Sequence, residues 1–242
     1  MLVTANWLNR NQHHYTSTGM SEIKKLMLQA LQEERQFEIK RRCDNIWNMP
    51  FFFQIDKAKV LTISYNASIK GIERLYPHVL HNYQKYGLSF DEIFDFQYLY
   101  FDKKWRGHYN RLFKHLGITE QEIAHIDFSI YPYRELKDYF ACRNIDKTNR
   151  YSFEAVALLE RQLKYILVDG SKNKDIVEKH LAGDYLFEKS KKLHKNSGAN
   201  LHELLMYRHK TKDIALVYFG AQLYGATAVS NDCIDEIADF IK

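Results

Sequence analysis

Four short apolar segments, each followed by polar or glycine-containing residues, dominate the hydrophobic pattern of this chain. They cover residues 60–65, 124–128, 165–168 and 214–219. Continuous apolar runs rich in Val, Ile and aromatic residues are typical of strands buried on both faces. Helical periodicity is found at residues 21–43, 105–116, 152–163, 172–182 and 234–241. Residues 72–86 and 89–102 also have a helical pattern, interrupted by Pro77 and by Gly87. Weaker alternation at 184–208 indicates shorter strands. This order predicts an α/β fold, a three-layer α/β/α sandwich with a mostly parallel central sheet of about four strands.

The ends of these strands carry the candidate chemistry. Right-handed crossovers bring the carboxyl ends of parallel strands to one edge of a sheet, where ligands bind in open α/β folds. The polar residues expected at that edge are Asn66, Ser68, Ser129, Tyr131, Arg134, Asp169, Ser171 and Gln222. They are rich in hydrogen-bonding groups and poor in strong nucleophiles, which suits binding a polar ligand and positioning a water molecule. The alternative is that Asn66 and Ser68 simply form a strand-ending turn, since both residue types favour turns.

Composition predicts one domain without a linker. The chain has 242 residues with only 3 Pro and 10 Gly, so no Pro- or Gly-rich segment divides it. Residues 1–20 are polar and aperiodic and are expected to form a flexible arm, with Met20 as an alternative start. Residues 21–242 are expected to form a single α/β domain.

Cysteine usage and hydropathy indicate the cellular setting. Cys43, Cys142 and Cys233 are far apart and lack the C-x-x-C spacing of zinc sites, so neither a disulfide framework nor a metal site is predicted. No apolar run approaches the roughly 18 residues of a membrane span, and no secretory signal is recognisable. We therefore expect a cytoplasmic protein with no metal, no cofactor and no membrane partner.

The net charge of +5 is compatible with a polyanionic partner. Positive charge is concentrated at residues 40–42, 189–195 and 208–212. Each cluster alone is expected to be a solvated loop or helix face, whereas all three on one face would favour nucleic acid.

Several common catalytic motifs are absent from the sequence. It has no G-x-S-x-G elbow, no phosphate-binding P-loop and no G-x-G-x-x-G fingerprint, which argues against esterases, nucleoside triphosphatases and dinucleotide-dependent dehydrogenases. His78 and His81 have a spacing that suits metal ligands on a helix, but Pro77 and the lack of an HExxH context favour a solvated surface.

The order of the remaining motifs resembles the uracil-DNA glycosylase superfamily. The segment 60–68 is similar to the branch whose first strand ends in an Asn-containing motif, with Asn66, Ala67 and Ser68 at the Asn, Pro and final small-residue positions. Residues 109–117 with 125–134, and residues 163–171, are similar to that family's next helix and strands. The resemblance covers roughly residues 50–242.

The resemblance implies hydrolysis of the N-glycosidic bond of uracil or a related damaged base that is flipped out of single- or double-stranded DNA. Asn66 would position the attacking water. The implied base-pocket residues are Ser64, Ser68, Ser129, Tyr131, Asp169 and Ser171, and the implied DNA contacts are Arg134, Lys172, Leu223 and Tyr224. The implied protein is a monomer that uses neither metal nor cofactor.

The loop after the last strand departs from the family pattern. Active members commonly carry a histidine there, whereas this chain has Phe219 or Gly220, and Gln222 is the nearest side chain able to donate to the leaving base. A non-catalytic relative that binds nucleic acid or protein is therefore the alternative, and a hydrolase of small nucleoside-like molecules is a third reading.

Overall fold

The structure is a computed structural model, and its description covers residues 22, 26, 51–52, 57–64, 111–119, 122–127, 137, 141, 145–169, 173–181, 183–194, 201–219 and 233–242. The strands are β1 (Phe51–Phe52), β2 (Val60–Ser64), β3 (Ile123–Asp127), β4 (Tyr165–Asp169), β5 (Tyr185–His194), β6 (Leu201–His209) and β7 (Ala215–Phe219). The helices are α1 (the described turn 111–115), α2 (Ile145–Leu159), α3 (Asn173–Leu181) and α4 (Cys233–Ile241). Glu22 and Leu26 are helical, and the predicted arm at 1–20 and helices at 72–86 and 89–102 lie outside the described residues.

The chain divides into two compact units that alternate along the sequence. The first comprises residues 1–56, 65–100 and 126–161, and the second comprises 57–64, 101–125 and 162–242. The described part of the first unit contains β1 and the amphipathic helix α2, whose buried Val156 and Leu159 alternate with exposed Glu154. Arg150 and Glu154 form an ion pair of 3.1 Å one helical turn apart on α2.

A mixed sheet forms the centre of the second unit. Its six described strands follow the order β3-β2-β4-β7-β6-β5, and the unit boundary falls within β3. Strands β2, β4 and β7 are parallel, with Val60 opposite Tyr165 and Tyr165 opposite Ala215. Strands β6 and β5 continue the sheet antiparallel to their neighbours. The α/β class and the parallel central strands are thus confirmed, but the sheet is larger than the predicted four strands.

One face of this sheet is covered by α1 and α4. The apolar cluster on that face combines strand residues with Leu112 and Phe113 of α1 and with Ile237 and Ile241 of α4. Burial of such aliphatic and aromatic side chains stabilises the fold by roughly 25 cal/mol per Å² of apolar area removed from water, so this cluster holds α1 and α4 against the sheet. On the other face, the Tyr207 hydroxyl of β6 donates to Glu178 of α3 at 2.9 Å.

Gly117 lies just after the last helical residue of α1, at the helix end that the sequence predicted. Its φ is +67°, a left-handed conformation in which a side chain is unfavourable, and the Ile118 amide returns to the Phe113 carbonyl at 2.8 Å. The chain then reaches β3 through a turn in which Glu122 accepts from the Thr119 amide and hydroxyl, both at 2.8 Å. This pairing satisfies backbone and side-chain donors in the manner of a capping box.

Three predictions for the second half of the chain are corrected. The strands expected within residues 184–208 are found as β5 and β6, but they are longer than expected, with ten and nine residues. The basic segment 189–195, expected as a loop or helix face, lies in β5 over residues 189–194. Helix α2 also begins earlier than the predicted residue 152, at Ile145. The predicted strands and helices at 165–168, 172–182, 214–219 and 234–241 are found within one or two residues of their expected bounds.

Candidate functional site

The strand order creates a topological switch point between β2 and β4. From β2 the chain moves to β3 on one side, whereas β4 lies on the opposite side of β2 and is followed outward by β7. Connections leaving β2 and β4 therefore diverge, and in open α/β sheets such divergence opens a crevice at the carboxyl ends of the two strands. We call the sheet edge where β2, β4 and β7 end the carboxyl edge.

Two predicted site residues lie at the carboxyl edge. Ser64 is the last residue of β2 and Asp169 is the last residue of β4. Ile63 is opposite Val168 in the parallel register, and Asp169 is opposite Phe219, so these strand ends are level with one another. The expectation that the strand ends share one edge is confirmed for these three strands.

The remaining predicted site residues lie outside the described residues. These are Asn66, Ser68, Ser129, Tyr131, Arg134, Ser171, Lys172, Gln222, Leu223 and Tyr224. Their proposed roles stay predictions. The basic residues 40–42 and the histidines at 78 and 81 also lie outside the described part of the chain.

A buried polar contact that the sequence analysis did not predict joins β2 to β3. Thr62 is fully buried, and its hydroxyl lies 2.8 Å from Nδ1 of His125 and 3.3 Å from the Ala124 carbonyl oxygen. Buried polar side chains are retained where they are hydrogen-bonded, because an unsatisfied group costs about 1–3 kcal/mol. The available signal was Thr62 itself, a hydroxyl residue between apolar neighbours in a strand.

The His125–Thr62 pair permits two proton arrangements. A threonine hydroxyl has one proton and two acceptor lone pairs. If that proton is donated to the Ala124 carbonyl, Nδ1 of His125 must donate to Oγ1. If the hydroxyl instead donates to Nδ1, then Nε2 carries the proton of the neutral ring. The first arrangement uses both observed contacts.

Phe219 occupies one of the two positions where the family resemblance calls for a histidine. It is the last residue of β7, is only 1% exposed and belongs to the apolar cluster under α4. Its side chain therefore serves the core and is not available to a ligand at the carboxyl edge. The other position, Gly220, lies outside the described residues.

Two of the three basic segments involve adjacent strands, but the register places residues 189–194 opposite 201–206 and not opposite 208–212. Residues 189–194 are in β5, and residues 208–212 are in β6 and the turn after it. Several of these cations already have protein partners. Lys189 lies 4.9 Å from the ring centroid of Phe240, Lys191 pairs with Glu236 at 2.9 Å, and Arg208 pairs with Glu188 at 2.6 Å. These contacts reduce the positive charge that this surface offers to phosphate groups.

The described residues contain no group of three or more His, Cys, Asp or Glu side chains placed to hold a metal ion. Among the described helices, none has the length and apolar character required to cross a membrane. Cys233, at the start of α4, is a buried free thiol. No protein family model, curated protein or solved structure matches this chain.

Proposed function

We propose that this chain is a DNA glycosylase-like protein that hydrolyses the N-glycosidic bond of uracil or a related damaged base. The observation that supports this most strongly is the switch point between β2 and β4, because the Asn-containing motif follows one of these strands directly. Asn66 follows Ser64, the end of β2, by two positions, a span of at most about 7 Å. Asp169 ends the neighbouring strand, and Ser171 and Lys172 follow it.

In this proposal the carboxyl edge binds a flipped base. Asn66 orients a water molecule towards the sugar as positive charge develops on it, while hydrogen bonds from the pocket stabilise the departing base. The pocket is formed by Ser64, Ser68, Ser129, Tyr131, Asp169 and Ser171. Gln222 donates to the base, and Arg134, Lys172, Leu223 and Tyr224 hold the DNA.

The finer architectural and cellular predictions belong to the same proposal. We infer that helices cover both faces of the sheet in three α/β/α layers, which the contact between Tyr207 and Glu178 on the face opposite α4 supports. The protein acts as a cytoplasmic monomer on single- or double-stranded DNA and requires neither metal nor cofactor.

Base release from DNA tests this function. Purified protein is incubated with single- and double-stranded oligonucleotides that carry uracil or another damaged base, and the abasic product is cleaved with alkali and quantified. Wild-type protein should release one of these bases, and Asn66→Ala should reduce the rate about 100-fold or more, the scale of removing one preorganised hydrogen-bonding group. The control Asn149→Ala, the same substitution on α2 of the first unit, should retain the wild-type rate. Equal rates in wild type and Asn66→Ala would refute the role of Asn66.

A non-catalytic relative is the second candidate, and the burial of Phe219 favours it. With this position committed to the core, the chain lacks one side chain that would donate to the leaving base. Binding of wild-type protein to DNA with a steep salt dependence, but without release of any base, would support this candidate over the enzyme.

A further inference from the structure

We propose that the turn between β6 and β7 is a pH-operated switch, which is closed while His209 is neutral and opens when its imidazole takes up a second proton. The turn consists of residues 210–213, between the end of β6 and the residue before β7. It lies at the amino end of β7, opposite to the carboxyl edge, so this switch is separate from the proposed base pocket. All of its groups belong to the second unit.

The imidazole of His209 accepts hydrogen bonds from the turn. The backbone amides of Thr211 and Lys212 each donate to Nδ1 at 3.1 Å, and the Thr211 hydroxyl lies 3.5 Å from the same atom. A backbone N–H can only donate, so Nδ1 must present its lone pair and carry no proton. The neutral ring therefore carries its single proton on Nε2, whatever group Nε2 contacts, and a second proton can bind only at Nδ1.

Protonation of Nδ1 and closure of the turn exclude one another. A protonated Nδ1 is a donor that faces two backbone donors, so both hydrogen bonds to His209 are lost when the cation forms. Because only the open turn accepts the second proton, a falling pH shifts the equilibrium towards the open turn. The closed turn is favoured above about pH 7 and is lost as the pH falls towards about 5, the range in which histidines titrate.

The His209 ring is held in place by β5. Tyr185, the first residue of β5, packs edge to face with His209, with 5.0 Å between the ring centroids and 83° between the ring planes. Tyr185 is buried, whereas His209 is partly exposed and residues 210–213 are exposed. The imidazole is thus fixed against a buried tyrosine, next to a turn that is accessible to water.

The turn fastens β6 to two other parts of the sheet. The His209 amide donates to the Ile214 carbonyl at 3.0 Å, which closes the hairpin to β7. The Lys210 amide donates to the Asp184 carbonyl at 2.9 Å, and Nζ of Lys210 donates to the Gly183 carbonyl, which ties the turn to the segment before β5. Opening of the turn is therefore transmitted to the adjoining ends of three strands.

Charges of both signs surround the His209 ring. The charged and titratable groups on the turn and on the neighbouring elements are Lys210, Lys212 and Asp213 of the turn, Asp184 before β5, Tyr185 and Glu188 of β5, Tyr207 and Arg208 of β6, and Glu178, Lys179 and His180 of α3. Glu188 pairs with Arg208 at 2.6 Å, and Glu178 accepts from Tyr207 at 2.9 Å. The lysines of the turn oppose a cationic imidazole and the aspartates favour it, so the two amides that face Nδ1 decide the outcome.

Amide hydrogen exchange, measured by NMR at pH 7 and pH 5 and corrected for intrinsic exchange rates, detects opening of the turn. In wild type the protection of the Thr211 and Lys212 amides should fall roughly 20-fold from pH 7 to pH 5, the change expected when one proton binds only the open form, with a pKa of about 6.5 for a histidine in an unfolded peptide. His115→Asn, a substitution of an exposed histidine on α1, should show the same fall.

Two substitutions of similar shape separate the acceptor from the titration. His209→Asn places an amide oxygen where Nδ1 accepts but does not titrate, so the protection of both amides should be the same at pH 5 as at pH 7. His209→Leu removes the acceptor, so both amides should lack protection at either pH. If His209→Leu does not fold, the comparison of wild type with His209→Asn tests the switch by itself.

Nitrogen-15 NMR of the histidine side chains provides a second readout. The resonances of His209 are assigned by their loss in His209→Asn, and at pH 8 they should show a neutral ring with its proton on Nε2. A neutral ring protonated at Nδ1 would overturn the inference. Protection of the two amides that does not change between pH 7 and pH 5 in wild type, that falls equally in His209→Asn, or that persists in His209→Leu would also overturn it.

Discussion

Replacing Glu122 by Gln should remove a pH-dependent ion pair between the residues that immediately precede β2 and β3. Glu122 pairs with Lys59, and the Lys59 amide donates to the Glu122 carbonyl oxygen at 2.8 Å, so side chains and backbone join the two strands. The hydrogen bond from Lys59, followed by that from the Thr119 amide, lowers the pKa of Glu122 from its ordinary 4.5 to about 2. Gln keeps the shape of the side chain but loses the charge that these donors favour.

The loss of stability expected for Glu122→Gln follows from this lowered pKa and from the solvent exposure of the pair. At 1.36 kcal/mol per pKa unit, the shift corresponds to at most about 3 kcal/mol of stabilisation. The side chain of Glu122 is 14% exposed but that of Lys59 is 43% exposed, so water and salt screen the pair. We therefore expect Glu122→Gln to lower the free energy of unfolding at pH 7 by about 1 kcal/mol. For a chain of this size, that is a fall in Tm of about 2–4 °C.

The sign of the pH dependence is fixed by the lowered pKa. Above pH 4.5 the carboxylate is ionised in both folded and unfolded chains, so its stabilising contribution is complete. As the pH falls from about 4.5 through about 2, the unfolded chain takes up a proton first, and the contribution is lost. The difference in stability between wild type and Glu122→Gln should therefore vanish near pH 2.

Urea denaturation followed by circular dichroism at pH 7, 5, 4 and 3 measures this difference. The control is Glu154→Gln, the same substitution in the ion pair with Arg150 on α2, in which both side chains are 47% exposed. This control should lower the free energy of unfolding by only about 0.3–0.5 kcal/mol. A double-mutant cycle with Lys59→Met isolates the coupling of the pair. Equal stabilities of wild type and Glu122→Gln at pH 7, or a difference that persists unchanged at pH 3, would refute the reasoning.

Two further substitutions test the backbone and the core. Gly117→Ala should lower the free energy of unfolding by about 1 kcal/mol, because the φ of Gly117 is +67°, although no atom lies within 4 Å of the added Cβ. Gly183 has equally open space and no positive φ, so Gly183→Ala should be neutral or slightly stabilising in the same urea titration. Phe219→His should lower the free energy of unfolding by about 3 kcal/mol without increasing base release, because a polar imidazole would replace an apolar ring in the cluster. Phe219→Leu keeps an apolar side chain and should lower it by only about 1 kcal/mol. A stable Phe219→His protein with faster base release would show that this position faces the ligand.

The local elements of the second unit could be predicted to within a few residues. The apolar run Ala215–Phe219 is buried at every position, as a strand covered on both faces requires. Gly117 was recognisable as a helix end, since a left-handed residue after a helical rhythm is usually glycine. The long strands β5 and β6 were harder to predict, because lysines dominate part of β5 and an edge strand tolerates them.

The candidate site was also only partly predictable from the sequence. That Ser64 and Asp169 end strands could be predicted from the sequence, because each apolar run stops at that point. That these strands are neighbours across a switch point could not, because strand order depends on which surfaces pack together and is not encoded in the periodicity of any one segment.

The sequence by itself therefore determined the class of fold, the central strands and the residues expected near their ends, since these depend on local hydrophobic pattern and turn chemistry. Only the tertiary structure paired Thr62 with His125, which are 63 residues apart, and placed Phe219 in the core. Both outcomes depend on the alignment of neighbouring strands and on the packing of α4 against the sheet. Such contacts form between segments distant in sequence, where the local pattern of one segment carries no information about its partner.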